Sequence, residues 1–351
     1  MIDFRYHLVS IIAVFLALAI GIVVGAEAVR PLVVQGLDRA SKRESAQVQS
    51  LLGIRSKLQQ QISSDQKFAQ AGAGVLLSDL LTGQRVVLVT APGANGQVVS
   101  GVTSVVQQAG ATVTARVSMQ PSFFDAAAVT ETSLRTLSQE LAVSTGLSVD
   151  TAALTNNPQV SGQQAAAGLI AAALVGGGDT PWTATQSSAI LQGFGQQGYL
   201  KVSGGHGSGG TAVAGPATLA VVVTPDTPPE NDSDPENLSV IALAEQLQTA
   251  SHGTVVAGSL SGSGSGSAID EIRGAGRPVT TVDGANLVTG QITVAWALKQ
   301  LLLGKPAASY GVAANSYPSP APSSAPSVAP SPSLSPPAGG KGSSGSHPGK
   351  P

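Results

Sequence analysis

Four histidines, two methionines and no cysteine make up the soft and borderline metal ligands of this 351-residue chain. His7 abuts an apolar amino-terminal run. His206 lies in the glycine-rich loop Gly204-Gly205-His206-Gly207-Ser208-Gly209-Gly210. His252 follows a helical stretch, where a cation would complement the C-terminal dipole, and His347 sits near the end of the chain. No two of them stand at helical pair spacing. Cuprous ions select thiolate and thioether sulfur, and Met1 and Met119 are the only thioethers. The sequence therefore contains no recognisable copper site, and no metal ligands are assigned from it. Without cysteine, disulfides, zinc–thiolate sites, iron–sulfur clusters and thiol catalysis are excluded, while the redox compartment stays undetermined.

Carboxylates crowd one loop: Asp226, Glu230, Asp232, Asp234 and Glu236. Such a group can hold a hard cation, but the glycine and terminal bidentate glutamate of an EF-hand are missing. A solvated loop leading into a helix, with Asp234 as N-cap and Pro235 in the first turn, is the better reading. The turn Ala91-Pro92-Gly93-Ala94-Asn95-Gly96 stands between a strand and a helix, where a dinucleotide fold holds pyrophosphate. It lacks G-x-G-x-x-G, and the first acid after it is Asp125. No phosphate-binding G-x-x-x-x-G-K-[ST] occurs, and Ser208 beside His206 is not the G-x-S-x-G of a hydrolase. The expectation is a protein with no cofactor and no catalytic residues, not an enzyme. Its 18 basic and 20 acidic residues give a net charge of −2, with no single-sign field to attract nucleic acid.

The elements that would position these residues divide the chain into four segments. Leu8 to Ala26 (LVSIIAVFLALAIGIVVGA) has no formal charge and as a helix rises roughly 28 Å, the thickness of a bilayer core. Residues 1–30 read as a transmembrane anchor. A signal peptide cut after Ala28 is the alternative, disfavoured by the length of the apolar run. Arg5 precedes the segment and Arg30, Arg39, Lys42 and Arg43 follow it, so the positive-inside count alone keeps the rest of the chain in the cytoplasm. Ala17, Gly21 and Gly25, four apart, form a small-residue face of the kind that lets membrane helices approach closely.

Pro31 suits the first turn of a new helix. A 3-4 spacing then runs through Val34, Leu37, Ser41, Glu44, Val48, Leu51, Arg55, Leu58, Ile62, Asp65 and Ala69. Residues 31–70 read as a coiled-coil stalk, with Val34, Leu37, Val48, Leu51, Leu58 and Ile62 as apolar seam and a homodimer as the product. The other reading is an amphipathic helix lying on its own domain. Residues 84–312 alternate continuously apolar strands with helices: strands at 85–90, 111–117, 218–224, 254–257 and 279–282, helices at 98–109, 132–143, 163–175, 235–247 and 287–303. That alternation predicts a Rossmann-like, mostly parallel α/β domain covered on both faces, with no sign of the repeated alternating segments of a transmembrane barrel. Residues 313–351 are rich in Pro, Ser and Gly and read as a disordered tail.

The opening Phe4-Arg5-Tyr6-His7-Leu8-Val9-Ser10, followed by AVFLALAIGIVVG, resembles the start of the MctB copper-transport family. The likeness continues in order through the seam, the strand RVVLVTAPGA, Thr280-Thr281-Val282-Asp283 and GQITVAWALKQLLLG. It covers residues 1 to about 312 and departs at Ala308-Ser309-Tyr310-Gly311. The resemblance implies an actinobacterial cell-envelope protein assigned to copper efflux and described as a pore-forming outer-membrane protein. It places the domain outside the cytoplasmic membrane, against the charge count. Related envelope proteins connect with cell separation. The architecture of anchor, coiled coil and α/β domain offers the alternative of a membrane-tethered scaffold that binds and regulates another envelope protein partner. The resemblance carries no catalytic residues, and copper enters through it alone.

Overall fold

A computed structural model describes residues 4–146, 161–175, 183–204, 215–227, 234–313 and 316–317, without the side chains of 4–5 and 26–43. The disordered-tail reading of 318–351 lies outside these residues. The chain opens with one α-helix, α1 (Phe4–Leu77), of 74 residues. The break expected at Pro31 does not occur. Proline removes one backbone donor and crowds one carbonyl, and here the turns on either side carry the helix through. Tyr6–Gly25 is the stretch of α1 long and apolar enough to cross a bilayer, and no other described helix meets that measure.

The α/β unit follows as β1 (Arg85–Thr90), α2 (Gly96–Gln108), β2 (Thr112–Met119), α3 (Ala128–Thr145), α4 (Ser161–Val175), α5 (Ala184–Gln196), β3 (Leu200–Gly204), β4 (Leu219–Val223), α6 (Pro235–Ala250), β5 (Thr254–Ala257), α7 (Ala268–Gly274), β6 (Thr280–Val282), α8 (Val288–Leu302) and β7 (Ser309–Tyr310). The seven strands form one sheet in the order β3-β2-β1-β4-β5-β6-β7. Every neighbouring pair is parallel except β2–β3. This is a doubly wound sheet whose strand order reverses between β1 and β4.

Both faces are covered, so the central strands carry no polar alternation: β4 and β5 are buried at every residue. One face packs under α3 to α7 through Phe123, Leu134, Ile170, Ile190, Phe194 and Ile241. The other packs under α2, α8 and the end of α1, through Val98, Val102, Val294, Leu298 and Leu77. Ala73, Leu77, Leu80 and Leu81 are buried there, so the globular core begins upstream of Gln84. The helix that carries the apolar segment thus enters the domain without a linker. It ends in a turn where Asp79 takes a left-handed φ of 55°.

Asp234 caps α6 as its spacing indicates, accepting from the Glu236 amide at 2.8 Å. The sequence reading left out α5, α7, β3 and β7. Helix α5 is mostly Gln, Ser and Gly, α7 has seven residues, and β7 has two, too few for a period to register. Strand β3 is polar because it lies at the sheet's edge.

Helix α8 starts so close to the β6–α8 turn that a Cβ at Gly290 would run into the Gly284 carbonyl. Backbone cannot yield as a side chain can. Gly290→Ala is expected to destabilise the domain by about 1–3 kcal/mol, read as a lowered thermal midpoint. Gly53→Ala in α1, where the space is open, will leave the midpoint unchanged or raise it.

Candidate functional site

In a doubly wound sheet, ligands enter the crevice beyond the carboxyl ends of the strands where the order reverses. Here the crevice is closed between the β1 and β4 loops. Ala94 and Pro225 form a β-bridge, and the Asp226 amide donates to the Gly93 carbonyl at 3.0 Å. Asn95 caps α2 through its Oδ1 and uses its Nδ2 to donate to Asp226 at 3.1 Å. Ser261 also donates to the Asp226 carboxylate. Hydrogen bonds from Ser259, then Asn95, hold Asp226 below the usual carboxylate range; partial burial opposes them and Ser261 adds a smaller downward push. The Gly93 turn, with φ of 74°, therefore serves to bring two loops together.

The sequence-level ligand candidates do not converge. Met119 is 2% exposed within the core, so its thioether is committed to packing. His252 lies beyond the end of α6, its backbone amide donating to the Thr218 carbonyl. His7 lies on the apolar stretch of α1, and His206 and His347 lie outside the described residues. In the acidic loop, Asp226 ties loops and Asp234 caps a helix, while Glu230 and Asp232 are outside the description. Burial, then the charge of Asp234, raises the Glu236 carboxyl above its ordinary value. Among the described residues no three His, Cys, Asp or Glu gather closely enough to hold a metal ion.

Two features remain. One is a buried ion pair that residue types alone did not reveal. Arg273 on α7 donates to Asp283, just past β6, at 2.8 Å, with side chains 7% and 0% exposed. Arg273 also donates to Thr281 and to the Tyr310 carbonyl, each at 2.9 Å. Asp283 accepts from the Val312 amide at 2.6 Å. The network pins β7 and the segment leading to the Pro-rich tail. Asp283 closes the Thr280–Asp283 stretch singled out in the sequence, and its role there is structural.

The other feature is α1 itself. Val48, Leu51, Leu58 and Ile62 are 52%, 59%, 54% and 48% exposed, so nothing among the described residues covers this stripe. Val34 and Leu37 belong to the stretch whose side chains are not described. Ala17, Gly21 and Gly25 face open space; a Cβ at either glycine meets nothing within 4 Å. In one straight helix Gly21 and Leu51, the middle of each set, point about 120° apart. A two-fold contact along the seam turns the small-residue face aside. From the end of the apolar segment to Ala69, the first α1 residue packed on the core, the helix spans roughly 65 Å.

The family described as "Copper transport outer membrane protein, MctB" matches residues 1–320. The chain belongs to the MctB family. The match takes in the apolar segment, the exposed stripe and the whole α/β domain, and stops within the Pro-rich tail. Proteins named Copper transporter MctB from Mycobacterium bovis and Mycobacterium tuberculosis are 28% identical to it over 319 residues, which is 89% of this chain and 96% of theirs. A protein of that name from Mycobacterium leprae is 28% identical over 318 residues.

Proposed function

We propose that this chain is a membrane-anchored envelope protein that supports copper export or resistance as a dimeric scaffold. Copper is its cargo at one remove, and neither a pore nor a copper site lies in the chain alone. The observation that carries the reading is α1, apolar at one end, bare at Val48, Leu51, Leu58 and Ile62 of its seam, and fused to the α/β core at the other. A single crossing helix encloses no channel. A rigid helix fused to a domain holds that domain at a fixed distance from the bilayer and in a fixed orientation to a second copy. The relatives' name supports the link to copper, and the donor inventory supports an indirect one, through an envelope protein partner. On this reading the domain lies outside the cytoplasmic membrane, because a large domain translocates largely regardless of loop charge.

Calorimetric titration of the full-length protein in uncharged detergent with cuprous and cupric ions tests the indirect route. The expected result is no stoichiometric site of nanomolar affinity. Such a site, abolished by replacing His206 and His252, would overturn the scaffold reading in favour of direct copper handling.

A further inference from the structure

The face of the sheet shared with α2 is left uncovered toward its β3 edge, and its residues differ in kind from the rest of the core. In the antiparallel register Arg116 lies opposite Ser203, and Ser118 opposite Lys201. Residues paired in this way stand on one face of the sheet. Thr90 on β1 joins them, its hydroxyl donating to Ser118 Oγ at 3.2 Å. The side chains at 115, 117 and 119 point into the opposite core. Between this face and α2 lies a cavity of about 490 Å³ lined by Thr90, Gly96, Ser100, Arg116, Ser118 and Ser203.

The charge in it is unbalanced. Arg135, Arg273 and Arg277 all pair with carboxylates, and Arg85 donates to the Pro216 carbonyl. The Arg116 guanidinium, among the described residues, has no such partner. No carboxylate lines the cavity, and α2 carries no charged residue. Lys201, one diagonal step away in the ladder, lies outside the lining and adds only a nearby positive charge. A guanidinium without a counter-ion, beside a Ser118 hydroxyl that accepts from Thr90 and keeps its own proton to donate, is complementary to an oxyanion. The planar guanidinium fork suits phosphate oxygens in particular. Val99, Ala91 and Pro92 add apolar surface to the lining, so the space takes more than a bare ion.

We propose that this cavity binds a phosphorylated small molecule, with Arg116 neutralising the phosphate and Ser118 donating to it. The proposal stands independently of the copper reading. A soluble phosphate ester and a lipid headgroup share this chemistry. The length of α1 between the membrane segment and the domain favours the soluble source.

The test is titration of the full-length protein, in uncharged detergent micelles, with inorganic pyrophosphate, repeated in micelles doped with phosphatidylglycerol. Pyrophosphate is expected to bind in a salt-sensitive manner, and Arg116→Gln to weaken it about tenfold or more, with Lys201→Gln weakening it less. Both side chains are exposed, so unchanged circular dichroism and thermal midpoints will show that the variants stay folded. Failure of the wild type to bind pyrophosphate overturns the proposal, as does equal binding by Arg116→Gln. Displacement of pyrophosphate by phosphatidylglycerol, dependent on Arg116, upholds the site and assigns its source to lipid.

Discussion

Replacing Leu51 and Leu58 by Asp will convert the full-length protein from dimer to monomer in detergent solution, as measured by light scattering. Both side chains are more than half exposed on a single helix. Burying a leucine against a partner is worth about 1.5–3 kcal/mol, and a dimer buries each of these positions twice. The pair therefore contributes roughly 6–12 kcal/mol to association, while two carboxylates per chain on a shared seam add repulsion. The monomer gives up little, because no described residue outside α1 covers these positions, so circular dichroism will be unchanged. Gly21→Leu serves as the contrast: its face points away from the seam, and the dimer will survive it. A monomeric wild type, or a double variant that still dimerises, would remove the basis of the scaffold.

The second large effect is at the chain's exit from the sheet. Asp283→Ala will lower stability by about 3–5 kcal/mol, because Arg273 is left charged, buried and without its carboxylate. For a domain of this size that corresponds to a fall of roughly 6–20 °C in the thermal midpoint. The loss has a second source. The Val312 amide donates to the same carboxylate, and a Cβ at Gly311 would meet that group, so loop and acid are fitted to each other. Arg273→Met with Asp283→Leu is expected to cost less than Asp283→Ala, since neither variant side chain leaves a lone buried charge. A midpoint that moves by less than about 2 °C in Asp283→Ala, under 1 kcal/mol on the same scale, would show that the pair does not hold the edge of the sheet.

Both predictions rest on side chains whose roles were legible to different degrees. Leu51 and Leu58 were marked by heptad spacing, and among the described residues nothing covers them. Asp283 was visible only as part of a motif. Its ion pair with Arg273 joins residues ten apart through a helix and a turn, and no periodicity encodes that. The cavity beside Arg116 was equally hidden. It depends on β3 running antiparallel at the edge and setting Ser203 opposite Arg116. A five-residue strand of mixed polarity, reached after three intervening helices, carries no local signal of its partner.

Local physical chemistry is what the sequence determined by itself. An uncharged run of bilayer length, continuous apolar strands such as LAVVV at β4, and Asp234 before Pro235 each state their structure within a few residues. Burial on two faces and capping are short-range requirements, readable in place. Three things were legible only in the structure. Helix α1 passes through Pro31, because the loss of one backbone donor is small beside the turns retained on either side. Its last turns belong to the core, because Ala73 and Leu77 find α2 and α8 there. The crevice at the strand reversal is closed, because Asn95 and Asp226, 131 residues apart, meet only when β1 and β4 lie side by side. At Pro31 the helix's own turns decide; in the other two cases non-local contacts decide, and these exist only once the sheet has formed.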